Sequence, residues 1–127
     1  MSRSAILTEK APQPIGPYAQ AVRVGNTVYL SGQVALDPAT GKIVDGDITA
    51  QTQRIFDNLA AVCEAAGGSL ADLARIGIYL TDLANFAAVN AVMKQRFSEP
   101  YPARSTIGVS QLPLNAQVEI DAILVFD

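Results

Sequence analysis

The order of its periodic segments predicts that this chain is one α+β domain, ββαβαββ, with a mixed sheet and two helices over one face. Three observations carry that expectation. Two stretches repeat apolar residues at the helical interval: Ile55, Leu59, Val62 and Ala66, then Phe86, Val89, Met93 and Phe97. Between them, Ala74, Ile76, Ile78 and Leu80 alternate with Arg75, Gly77 and Tyr79, the period of a strand. Near the start, Gly25-Asn26 separates two short apolar runs as a hairpin turn would. The 127 residues fit a single domain, 1–127, with no repeat, low-complexity tract or linker.

Residues 1–17 read as irregular. Pro12, Pro14 and Pro17 stiffen this segment, Gly16 permits a bend, and Tyr18 is delivered to a defined place. Strands are expected over 19–24 and 27–31, then a polar turn at 37–41. The first helix starts at Asp47 or Thr49, both N-cap residue types, and stops at Gly67-Gly68. Ser69 to Asp72 has the spacing of a capping box and opens a single turn. A strand follows over 74–80, then a helix over 85–97 with Asn90 beside its apolar stripe. The last strands span 103–109 and 116–125, joined through 111–115. One face of the last strand carries Gln117, Glu119 and Asp121 before turning apolar at Ile123 and Val125. That mixed character suits an oligomer interface.

Composition narrows the function. The chain is 50% apolar and only 17% charged, against about 25% in typical domains. So little charge leaves surface to hide, which points to a homo-oligomer. A net charge of -3 with scattered cations argues against nucleic acid. No apolar run is long enough to span a bilayer, and no secretory leader is recognisable, so a soluble cytoplasmic protein is expected. With no histidine, His-based triads and the usual His metal sites are excluded, and no metal is expected. The lone Cys63 falls at an apolar helical position and reads as a small buried hydrophobe.

The chemistry concentrates near the C-terminus. Tyr101-Pro102-Ala103-Arg104-Ser105-Thr106-Ile107 sets one arginine at the mouth of a strand, with Thr106 on the same face. A guanidinium offers a planar fork that grips a carboxylate with two hydrogen bonds. Glu119 lies in the apolar run 116–125, where burial raises a carboxyl pKa toward the range useful for proton transfer. Together they suggest a site that holds a small carboxylic acid and activates a water. Tyr18, Ser31 and Asn90 complete the polar set, although each also has a purely structural use.

These residues stand in motifs that resemble the Rid family, also called YjgF or RutC. The motifs are Ile15-Gly16-Pro17-Tyr18-Ala19-Gln20, Leu30-Ser31-Gly32-Gln33, Val89-Asn90-Ala91, and Pro102-Ala103-Arg104-Ser105 with Leu112-Pro113 and Val118-Glu119-Ile120. The resemblance spans nearly the whole chain. It implies a chorismate-mutase-like fold and a closed homotrimer with a site in each subunit cleft, between subunits. It implies hydrolysis of 2-imino or enamine acids, such as 2-iminobutanoate and 2-iminopropanoate, released by pyridoxal-phosphate enzymes, to 2-keto acids and ammonia. Arg104 then clamps the carboxylate, and Glu119 orients or activates the water. Tyr18, Ser31, Gly32, Asn90 and Thr106 contact substrate, and no cofactor is needed. Thr106 stands where the family commonly has cysteine, so thiol chemistry is absent. The alternatives are a 3-aminoacrylate deaminase and a non-catalytic, chaperone-like binder of keto acids. Chorismate mutase fits less well, because a dicarboxylate calls for two convergent cations and the sequence offers only Arg104. A ribonuclease fits poorly with an acidic chain that lacks histidine.

Overall fold

Six strands and two helices form in a computed structural model that describes residues 2–127. In chain order they are β1 (Ser4–Ile6), β2 (Ala21–Val24), β3 (Thr27–Gln33), α1 (Ile48–Ala65), β4 (Leu73–Leu80), α2 (Phe86–Arg96), β5 (Ala103–Gly108) and β6 (Val118–Val125). The sheet order is β1-β2-β3-β6-β4-β5. All neighbours are antiparallel except β4 and β5, so the sheet is mixed as expected.

The expected ββαβαββ order is corrected at its start. Ser4–Ile6 is a strand paired with β2, whereas the sequence reads as irregular there. Three residues are too few to show a period of two. The segment that follows the strand is held in place by a side chain. Gln20 is fully buried; its Oε1 accepts from the Thr8 amide at 2.7 Å, and its Nε2 donates to the Pro12 carbonyl at 2.8 Å and the Thr8 carbonyl at 3.1 Å. Gln20 thereby supplies backbone partners to a proline-stiffened segment that has no ladder of its own.

The helices end where capping chemistry says they should. Asp47 is the N-cap of α1, its carboxylate accepting from the Ala50 amide at 2.9 Å. The chain leaves α1 through Gly67 at φ 95°, a backbone conformation that glycine adopts without a Cβ penalty. Ser69 and Asp72 form the expected capping box over a single 3₁₀ turn. Helix α1 buries Ile55, Phe56, Leu59, Val62 and Cys63. Burial first, then the nearby Asp72 and Glu64 carboxylates, push the Cys63 thiol up to about 12, so it is an inert core group. In α2, Val89 and Met93 turn inward as expected, but Phe86 is exposed.

Both helices cover one sheet face. On β6 the buried residues Val118, Ile120, Ala122 and Leu124 alternate with half-buried Glu119, Asp121 and Ile123. In β4 the helix-facing set begins at Leu73 rather than Ala74. The register against β6 shifts between Leu73 and Arg75, so Ala74 is the extra, exposed residue of a bulge. Strand β3 likewise runs on through Ser31 and Gly32 to Gln33, with a register shift between Leu30 and Gln33. The opposite face has no helix and leaves Tyr29, Ile107 and Val125 exposed.

Replacing Gln20 with Leu keeps its bulk but leaves the Thr8 amide and the Pro12 carbonyl without their partner. The expected loss is about 1–3 kcal/mol per stranded buried group, read as a lower urea midpoint at unchanged slope. An unchanged midpoint would mean that the N-terminal segment is held by packing alone.

Candidate active site

Alternation along the strands sorts the candidate residues into two groups. Arg104 on β5 is the register partner of Ile76, which in turn pairs with Ala122 of β6. Ile76 and Ala122 are buried under the helices, so Arg104 stands on that face. Its contacts agree: Nη1 donates to Asn90 Oδ1 at 2.5 Å and lies 3.9 Å from the Met93 sulfur, both on α2. The guanidinium also sits 5.3 Å from the centre of the Phe86 ring, which explains the exposed position of that aromatic. Asn90, an expected substrate contact, thus holds the Arg104 guanidinium in place. Thr106 shares the face, and its hydroxyl oxygen is buried without a hydrogen-bond partner.

Glu119 lies on the other face. It pairs in register with Tyr79 of β4 and shares a cavity of ≈ 390 Å³ with Tyr18, Ser31 and Gly32. Gly32 is what makes room for it. A Cβ built there would come within 2.5 Å of Glu119 Oε2 and 2.9 Å of its carboxyl carbon, so any side chain must displace the carboxyl group. Ser31 Oγ donates to the Ala19 carbonyl at 2.6 Å, which fixes the wall of the cavity. Tyr18 is half exposed at its mouth.

Within one chain Arg104 and Glu119 therefore stand on opposite faces of the sheet, which fits the expectation of sites between subunits and leaves it untested. The sheet separates them, and β4 stands between their strands. The reason is register: strand order decides which faces coincide, and a strand's own alternation does not reveal it. Arg104 lies on β5, the outer strand of its side, and is exposed, so it can meet a group presented by another molecule.

Glu119 behaves as the sequence suggests. Burial pushes its carboxyl up, and the neighbouring Asp121 carboxylate adds to the effect. Asp121 is held by Tyr79, whose hydroxyl donates to Asp121 Oδ2 at 3.0 Å. The same hydrogen bond, with burial, raises the Tyr79 pKa. Gly77, the register partner of Asp121, leaves the space that both side chains fill. Among the described residues the single salt bridge is Arg96 to Asp57, at 2.9 Å, so Glu119 and Arg104 are both without an ionic partner.

Several features of the site were not legible in sequence. Leu114 overhangs the Glu119 cavity at φ 60°, a conformation costing a branched residue about 1–3 kcal/mol. Only the adjoining Pro113 and Asn115 hinted at an irregular backbone. On the other face, Lys94, Tyr101 and Pro102 join Asn90, Met93 and Arg104 around a cleft of ≈ 330 Å³. Lys94 lies one helical turn after Asn90, at a spacing that a solvated surface lysine shares. Among the described residues no group of three or more His, Cys, Asp or Glu could hold a metal ion, and no helix is long and apolar enough to cross a membrane.

This fold recurs in known proteins. The family described as Endoribonuclease L-PSP matches residues 8–126, and the chain belongs to it, a family whose members also carry the names Rid and RutC. A 2-iminobutanoate/2-iminopropanoate deaminase from Dermatophagoides farinae is 50% identical over 122 residues, covering 96% of this chain and 95% of that protein. The crystal structure of RidA from the Antarctic bacterium Psychrobacter sp. PAMC 21119 superposes with a TM-score of 0.94 at 49% identity, covering 97% of this chain and 99% of that one. The structure of E. coli TdcF with bound serine gives a TM-score of 0.91 at 38% identity, covering 98% and 99% of the two chains.

The raised Glu119 carboxyl links stability to pH. Its folded pKa exceeds its unfolded one, so its contribution is complete below the ordinary glutamate range and is lost as pH rises through the raised value. Glu119→Gln is expected to flatten the decline in Tm across that window, and Asp121→Asn to move the window toward lower pH. Thermal melts at a series of pH values check both. A Glu119→Gln protein whose Tm still falls as in the wild type would assign the dependence to another group.

Proposed function

We propose that this protein is an imine deaminase, which converts reactive 2-imino acids and their enamine forms to 2-keto acids and ammonia. Its substrates are the short-chain products of pyridoxal-phosphate enzymes, 2-iminobutanoate and 2-iminopropanoate. The observation that carries the reading is an exposed arginine with no carboxylate partner, in a chain half identical to a deaminase of that name. The bound serine in the E. coli relative supports a small amino-acid-like ligand.

The site is a composite of two copies in a closed homotrimer with the chorismate-mutase-like arrangement. One copy supplies Arg104, Asn90 and Thr106 from the edge at β5. The next supplies Glu119, Tyr18, Ser31 and Gly32 from its open sheet face. Exposed Tyr29, Ile107 and Val125 on that face provide apolar surface for the assembly.

The chemistry follows from the groups. Arg104 binds the carboxylate through its fork and so fixes C2. A water held by Glu119 adds to C2 of the protonated imine and gives a proton to the carboxylate. Glu119 returns that proton to the nitrogen of the tetrahedral adduct, the C–N bond breaks, and ammonia leaves as the hydroxyl gives its proton to the freed Glu119 carboxylate and becomes the ketone. The iminium carbon is already electrophilic, so positioning and one proton acceptor suffice. A carboxyl raised by burial suits both proton steps.

Two variants test the assignment with the protein coupled to a threonine dehydratase, following 2-oxobutanoate release above the spontaneous rate. Arg104→Lys keeps the charge but loses the fork, and kcat/KM is expected to fall by roughly 10- to 100-fold, the value of one hydrogen bond to a charged group. Full activity in this variant would locate the clamp elsewhere. Glu119→Gln should lower kcat while retaining most affinity for a 2-keto acid. Normal turnover with a reduced Tm would instead make Glu119 a structural residue.

A further inference from the structure

The cleft beside Arg104 has an electrostatic character that the proposed short-chain substrates do not use. Its lining includes two cations, Arg104 and Lys94, and no acid. In the cavity on the open face Glu119 stands without a cation, and in the one beside Tyr79 the Arg75 guanidinium shares the space with Asp121. Two uncompensated positive charges in one concavity stand out in a chain of net charge -3.

Lys94 lies in the last turn of α2, where a cation complements the helix dipole. Arg96 is in the same turn and is engaged elsewhere, with Asp57 at 2.9 Å and with the Gln53 side-chain oxygen at 2.9 Å. Lys94 has no such partner among the described residues, and it faces the cleft from one turn beyond Asn90. Asn90 in turn holds Arg104. The two cations therefore flank one amide on the wall of the cleft. The rise between Asn90 and Lys94 is about 6 Å along the helix axis. A ligand whose carboxylates stand at the two ends of a short chain is of that order. The remaining wall, Tyr101 and Pro102, is apolar enough to pack its methylene carbons.

We propose that this cleft takes 2-imino acids that carry a second carboxylate, with Arg104 holding the carboxylate next to the imine and Lys94 holding the distal one. This assignment rests on the deaminase reading above and deepens it. Lys94 is a specificity residue here: it touches neither C2 nor the water, so monocarboxylic substrates are indifferent to it.

The test compares binding of two stable product-type probes, 2-oxoglutarate and 2-oxobutanoate, to the wild-type protein by titration calorimetry at low ionic strength. 2-Oxoglutarate is expected to bind roughly two- to fivefold more tightly, the upper range of one exposed charge contact. The preference should shrink as salt is raised. Lys94→Gln should abolish it while leaving 2-oxobutanoate affinity unchanged, and Lys94→Glu should reverse it. Equal affinities in the wild type, or a preference that survives Lys94→Gln, would overturn the assignment while leaving the deaminase reading intact. Failure of the wild type to bind either keto acid would overturn both.

Discussion

Side chains along a β-strand alternate between the two faces of the sheet, and the register of β5, β4 and β6 decides on which face each reactive group stands. Ile76 of β4 is the pivot, paired with Arg104 on one side and Ala122 on the other. Because Ile76 belongs to the core, Arg104 shares the helix-covered face and Glu119 faces away. A one-residue slip between β4 and β5 would carry Arg104 to the open face and bury Ser105 or Ala103 against α2. The apolar core under α1 and α2 forbids that slip, so packing energy fixes the faces on which Arg104 and Glu119 stand. The proposed two-copy site follows from this constraint.

Glycines give the open face its polar architecture. Gly32 leaves the volume occupied by the Glu119 carboxyl, and Gly77 leaves that occupied by Asp121 and the Tyr79 hydroxyl. In a strand a glycine sacrifices packing and backbone order, and it is expected where another group must approach closely. Here the approaching groups are carboxylates of adjacent outward positions on β6. Burial raises the Glu119 carboxyl and the neighbouring Asp121 carboxylate adds to the rise, while the Tyr79 hydroxyl holds the Asp121 side chain in place. Fold and proton affinity are thus set by the same missing side chains.

What could be read beforehand was what is encoded locally. Asp47, Gly67, Ser69 and Asp72 announce helix ends because capping is a contact between near neighbours in the chain. The stripe of Ile55, Leu59 and Val62 announces a buried face because it repeats. The motifs around Tyr18, Ser31, Asn90, Arg104 and Glu119 carry the family resemblance in the sequence alone. Non-local facts were not legible. Strand β1 has three residues and depends on pairing with β2, and the bulge at Ala74 depends on pairing with β6. Phe86 fits a core stripe by spacing, yet its ring serves the Arg104 guanidinium. The opposition of Arg104 and Glu119 needed the strand order, and Lys94 needed a view of the cleft.

The central claim is that one reaction site requires Arg104 from one copy and Glu119 from another, and mixing two inactive variants tests it directly. Arg104→Lys and Glu119→Gln proteins are each prepared alone, then unfolded together in equal amounts and refolded. In a closed trimer every mixed assembly contains one interface where an intact arginine meets an intact glutamate. Random mixing should therefore restore roughly a quarter of the wild-type imine hydrolysis. Separately refolded controls should remain near background. If the mixture stays as inactive as its parents although mass spectrometry shows mixed assemblies, both residues act within one copy or do not act together, and the account is contradicted.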